Sequence, residues 1–131
     1  MSAFLNPLVL VLISDSDARP LFSLVNDFSY KSDRFNRVFT APAGFQTDGP
    51  SIPQIAMSFT GYPGMRAAVI HDYYCTEQHG LVREDADLLF HEALLVCGVG
   101  SATAQAMYDA VAGYTRQLRA QANQGGPSYI G

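Results

Sequence analysis

Several large functional classes leave marks that this chain of 131 residues lacks. It has two cysteines, no tryptophan and only eight lysines plus arginines. Two cysteines, Cys75 and Cys97, cannot make a disulfide framework. If the helices expected around them run antiparallel, Cys97 lies about ten residues beyond Asp87, roughly 15 Å at 1.5 Å per residue, too far to pair with Cys75. Both are expected to be reduced and half-buried, which suits synthesis in a cytoplasm. The shortage of cations and the net charge of −4 remove the clustered lysines and arginines that neutralise phosphates, so nucleic acid is not an expected partner. Long apolar runs are missing too. The stretch Leu8 to Ile13 follows Pro7, has no basic segment before it and no small-residue cleavage site after it. It reads as a strand, and neither a signal peptide nor a transmembrane segment is expected.

What is present is a 48% hydrophobic composition, enough for one compact α+β domain over residues 1–122, with a loose tail over residues 123–131. Leu8 to Ile13, Leu21 to Val25, Phe28 to Tyr30 and Phe35 to Thr40 are short, rich in Val, Phe and Leu, and separated by Asp, Asn and Ser turn signals. They predict a small N-terminal antiparallel β-sheet. Thr47 to Pro63 is rich in Pro and Gly and reads as a structured loop. Three helices are expected after it: about Gly64 to Thr76, about Arg83 to Cys97, and a third from Ser101, read as an N-cap, with the tail loosening at Asn123.

The chemistry concentrates on the first two helices. Ala67, Ile70, His71 and Tyr74 share one face of the first, and Asp87, Phe90, Leu94 and Cys97 share one face of the second. A His and an Asp on otherwise apolar faces need partners, and each is the natural partner of the other. In that pairing Asp87 fixes the tautomer of His71 and leaves the second imidazole nitrogen to take a proton from water. Asp72 points roughly 100° away around the helix, towards the loop, where it can meet Asp48 and bind a cation, with two carboxylates suiting Ca2+. A buried His-Asp pair also occurs as plain architecture, and Asp48 in Thr47-Asp48-Gly49-Pro50 also fits a turn residue capping local backbone donors.

Two resemblances run through these residues. Phe45-Gln46-Thr47-Asp48-Gly49-Pro50-Ser51-Ile52-Pro53, Ala67-Ala68-Val69-Ile70-His71-Asp72-Tyr73-Tyr74 and Ala86-Asp87-Leu88-Leu89-Phe90 with Ala93-Leu94 resemble the signature of a phage- and prophage-encoded domain-of-unknown-function family, number 1353. Gly49 and Pro50 depart from that family's usual Phe-Ala after the Asp. A more distant resemblance is to small bacterial secretory phospholipases of the A(2) type, which have a Thr-Asp loop, a helical Arg-His-Asp and a later Asp-x-x-Phe in this order. Met107-Tyr108-Asp109-Ala110-Val111 also falls on a Tyr-x-x-Val stretch of theirs. This second resemblance implies that Asp48, the Gly49 carbonyl and Asp72 hold Ca2+, that His71 activates water, and that Asp87 orients His71. The disulfides and export segment of those enzymes are not expected here.

The expectation is therefore a phage-encoded hydrolase, a calcium-dependent phospholipase-like esterase acting on a lipid or other cell-envelope substrate. Ile52, Ile55, Met57, Phe59 and Tyr62 would border an acyl-chain entrance or cover the helical core. His91, four residues after Asp87, opens a rival reading: His71, Asp87 and His91 as a Zn2+ site of a cell-wall amidase or peptidase. A third reading is a non-enzymatic virion or assembly protein that pairs with phage structural proteins through its N-terminal strands, which carry no charged residue between Phe4 and Ile13. In each case the protein is made in the host cytoplasm, and is then virion-associated or released to the envelope at lysis.

Overall fold

A computed structural model describes residues 1–14, 21–48, 64–75 and 79–130, without the side chains of residues 14, 48 and 124–130. Six short strands precede three helices, the α+β order expected. The strands are β1 (Ala3–Phe4), β2 (Leu10–Ser14), β3 (Leu21–Leu24), β4 (Phe28–Ser32), β5 (Arg37–Ala41) and β6 (Gln46–Asp48). They form two three-stranded antiparallel sheets, ordered β1-β4-β5 and β2-β3-β6, where the sequence suggested one.

The β4–β5 hairpin shows why a strand expected from Phe35 begins at Arg37. Asn36 turns through a φ of 51°, a left-handed conformation that Asn tolerates, and the Phe35 N–H donates to Ser32 Oγ at 3.1 Å. Beyond β5, Gly44 has a φ of 88°, and its N–H donates to the Leu24 carbonyl at 2.8 Å. Phe45 follows, its carbonyl accepting the Leu24 N–H at 3.0 Å, and the chain enters β6 beside β3.

The helices are α1 (Met65–Cys75), α2 (Arg83–Val96) and α3 (Ser101–Ile130). Glu84 and Asp85 in the first turn of α2 complement the positive end of its dipole. Its last turn closes as a Schellman motif, with Val99 N–H to the Leu94 carbonyl at 3.1 Å, Gly98 N–H to that of Leu95 at 3.0 Å, and a φ of 90° at Gly98. Ser101 is the first helical residue of α3 rather than its cap, because the Gly100 carbonyl already accepts the Ala104 N–H at 2.8 Å. The helix α3 runs to Ile130. Among the described residues no helix is long and apolar enough to cross a membrane.

The core lies where the β4–β5 face meets the helices. Phe28, Tyr30 and Phe39 pack with Ile70, Leu89, Phe90, Leu94, Met107 and Val111, all fully or almost fully buried. Polar ties fix this stack. The Tyr30 hydroxyl donates to Glu92 Oε1 at 2.7 Å, while the Tyr74 hydroxyl accepts the Thr40 N–H at 3.0 Å, joining α1 to β5. The helix α2 touches both α1 and α3, so a polar group on its buried face can reach either neighbour.

Candidate functional site

Helical spacing turns His71 inward from the middle of α1, and Asp87 inward from the second turn of α2. His71 Nε2 lies 2.7 Å from Asp87 Oδ1, within hydrogen-bond range, with side chains 5% and 2% exposed. Asp85, two residues earlier, is only half-buried and is not the partner. The second oxygen of Asp87 is also engaged: Thr115 Oγ1, on α3, donates to Oδ2 at 2.6 Å. One carboxylate thus joins three helices. Arg83 Nε donates to Thr115 Oγ1 at 3.2 Å, and its Nη1 to the Cys75 carbonyl at 3.4 Å.

Burial alone would push the His71 imidazole down, but hydrogen bonding to Asp87 and Cys75, with the charges of those two groups, outweighs it and holds the ring up at about 9. The pairing therefore favours the protonated ring. The face of the imidazole packs on Phe90, ring centroids 4.7 Å apart. Every fully buried side-chain nitrogen and oxygen among the described residues has a hydrogen-bond partner, so the polar centre is closed without orphaned groups.

Cys75, one turn after His71, was expected to be only a half-buried thiol. Its sulfur stands 3.4 Å from His71 Nε2, and both cysteines are free. Among the described residues, the imidazole, the Cys75 thiol and the Asp87 carboxylate bring ligating atoms within 4.8 Å of one another. His91 is not in that group. Its ring lies against Tyr108 of α3 at 5.6 Å between centroids, so the structure places Cys75 where the expected zinc set had His91. Beside Cys75 opens a cleft of about 680 Å³, lined by Tyr74, Leu81, Arg83, Leu118 and Arg119 among others.

Asp72 turns away from the pair, as its position on the helix requires, and faces β6. Its Oδ2 accepts the Thr47 hydroxyl at 2.6 Å, and the residue is 7% exposed. The next residue, Asp48, pairs through its backbone with Leu21, but its side chain lies outside the described residues. So do Gly49 and the loop residues Ile52, Ile55, Met57, Phe59 and Tyr62. Thr115, Cys75 and Thr47 were missed as site residues. A signal existed for the first two: Thr115 continues the buried spacing of Ala104, Met107 and Val111, and Cys75 is four residues from His71.

A family model described as "Protein of unknown function (DUF1353)" matches residues 22–111, which include the strands from β3 on, α1, α2 and the first turns of α3. Two curated bacterial relatives come from Sinorhizobium fredii (strain NBRC 101917 / NGR234). Uncharacterized protein y4jT is 40% identical over 104 residues, covering 76% of this chain and 30% of its own length. Uncharacterized protein y4iH is 36% identical over 70 residues, covering 50% of this chain and 29% of its own length. The chain thus spans less than a third of either relative. No solved structure matches at a significant level. With its model matching more than half of the chain, across both His71 and Asp87, the protein belongs to the family of unknown function DUF1353.

Proposed function

We propose that this protein is a hydrolase in which His71, oriented by Asp87, activates water against an ester, with a lipid or another cell-envelope molecule as substrate. The observation that carries this reading is the buried His71–Asp87 pair at 2.7 Å, with Thr115 holding the other carboxylate oxygen. Asp87 accepts the proton of Nε2, which leaves Nδ1 as the atom that removes a proton from water. Since the pairing holds the ring up, the base form is the minor one at pH 7 and grows as pH rises.

Asp72 supports the calcium part of this reading, because its carboxylate is turned to the end of β6, beside the residue that precedes Asp48. Asp48, the Gly49 carbonyl and Asp72 are hard oxygen donors of the kind calcium takes. When bound there, the ion would polarise the ester carbonyl. The phage setting, with release at lysis or carriage in a virion, completes the proposal.

The test is hydrolysis of short-chain esters and of phospholipid vesicles by the purified chain, with and without calcium, beside His71→Gln. Gln retains a donor for Asp87, so the variant keeps its fold while losing the base. No hydrolysis by the unmodified chain, or an undiminished rate in the variant, overturns the reading.

One observation favours the non-enzymatic alternative. Among the described strands β2 is an edge, and Val9, Val11, Leu12 and Ile13 on and beside it are 40–50% exposed. An exposed apolar edge is suited to pairing with another chain, as a virion accessory protein would require. Self-association that charged substitution in β2 abolishes, together with absence of hydrolysis, would decide for it.

A further inference from the structure

We propose that His71 Nε2, Cys75 Sγ and Asp87 Oδ1 form a binding site for one thiophilic divalent transition-metal ion, Zn2+ being the best match. This goes beyond the hydrolase reading and does not require it, since the ion would occupy the place of the His71–Asp87 hydrogen bond and silence a base there.

The geometry begins with α1. His71 and Cys75 are one turn apart on one helical face, so both side chains project towards the same point. Asp87 meets them from α2, and all three donor atoms lie within 4.8 Å of one another. Zinc bonds of about 2.0–2.3 Å to N, O and S place tetrahedral ligands roughly 3.3–3.7 Å apart. The Nε2–Sγ separation of 3.4 Å already falls in that range. The Nε2–Oδ1 separation of 2.7 Å must widen by roughly 0.7 Å, and the widest separation in the group, up to 4.8 Å, must close by about 1 Å, to reach it.

The surroundings support the assignment. Thr115 holds Asp87 Oδ2, which leaves Oδ1 as a single oriented donor, the kind of outer support that ligating carboxylates usually have. Cys75 also lines the cleft beside Leu81 and Arg83, so a fourth position is reachable by water from that side. On binding, the thiol gives up its proton and Nε2 gives up the one it donates to Asp87, both to solvent. Thiolate and carboxylate then carry two negative charges, which a divalent ion neutralises in a buried setting. Arg83, bonded to Thr115 and to the Cys75 carbonyl, adds a positive charge nearby and weakens the affinity without removing a ligand. The sulfur selects against calcium and magnesium, which prefer oxygen.

The test uses the full reduced chain and Co2+ as a spectroscopic stand-in. One equivalent of Co2+ should give an intense thiolate-to-metal charge-transfer absorption that Zn2+ abolishes. The absorption should be lost in Cys75→Ser and in His71→Gln and kept in Cys97→Ser. Without any variant, Zn2+ should slow alkylation of Cys75, read by peptide mass spectrometry, and leave Cys97 unaffected. Absence of the absorption in the unmodified chain, its survival in Cys75→Ser, or equal alkylation of Cys75 with and without Zn2+ overturns the proposal. None of these readouts depends on ester hydrolysis, so a failed metal site and a failed hydrolase reading are told apart.

Discussion

Replacing Asp87 by Asn changes one oxygen to an amide nitrogen and removes the charge that holds His71 protonated in the core. The His71 ring is raised from its ordinary 6.5 to about 9 in the folded chain. That interval corresponds to about 3 kcal/mol of folding free energy. Because the folded value is the higher one, this stability is fully present below pH 6.5 and disappears as pH rises through about 9. In Asp87→Asn burial acts without the compensating carboxylate, and the imidazole is driven neutral. The variant should therefore fall about 3 kcal/mol further below the unmodified chain at pH 6 than at pH 10, where only the difference between two hydrogen bonds to a neutral ring, about 1 kcal/mol, remains. For 131 residues, at about 2.1 cal/mol/K each, 3 kcal/mol lowers the melting temperature by roughly 10 °C. The assay is urea unfolding of both proteins at pH 6 and pH 10, where groups that titrate alike in the two chains cancel in the difference. A gap equal at the two pH values, or larger at pH 10, refutes the assignment of a buried imidazolium.

The other predictions concern the partners of this pair. Thr115→Val keeps the shape but removes the donor to Asp87 Oδ2, and should cost about 1.5–3 kcal/mol in urea unfolding; a fully stable variant would mean the hydroxyl is idle. If His71 is the base, hydrolysis should climb roughly tenfold per pH unit from pH 6 and level off near 9, since the ring is the acid form below that value. A rate independent of pH over that range removes His71 from the base role. Calcium at Asp48 and Asp72 should raise the melting temperature with the logarithm of its concentration, and Asp48→Asn should blunt the rise. A melting temperature indifferent to millimolar calcium counts against that site.

The helical half was easier to read in the sequence than the strand half, for a physical reason. A helix of eleven residues or more repeats its apolar period several times and carries end signals, so α1 and α2 lie within a residue of the expected bounds. The strands β1 and β6 are two and three residues long, too short to show an alternation, and both escaped. Sheet membership is also non-local. Alternation says which face a side chain takes but not that β1 pairs with β4 while β2 pairs with β3, so two sheets were read as one.

At the candidate site the legible residues were those whose type contradicts their surroundings. A His and an Asp on apolar faces demand an explanation, and their meeting across α1 and α2 followed from the cost of burying either alone. Cys75 and Thr115 carry a weaker contradiction, because a thiol sits in a core as readily as an apolar residue does and a helical Thr can satisfy its hydroxyl on its own backbone. Their roles arise only from what stands opposite. His91 stands outside the His71–Cys75–Asp87 cluster for the complementary reason. It has the chemistry and the spacing from Asp87, but α2 is packed between two helices, and a side chain one turn on can face the other neighbour. His91 meets Tyr108 of α3, while Asp87 reaches α1 through one oxygen and α3 through the other. Spacing along one helix restricts a side chain to a face; which neighbour it meets there is decided by packing, and that information is in the fold and not in the period.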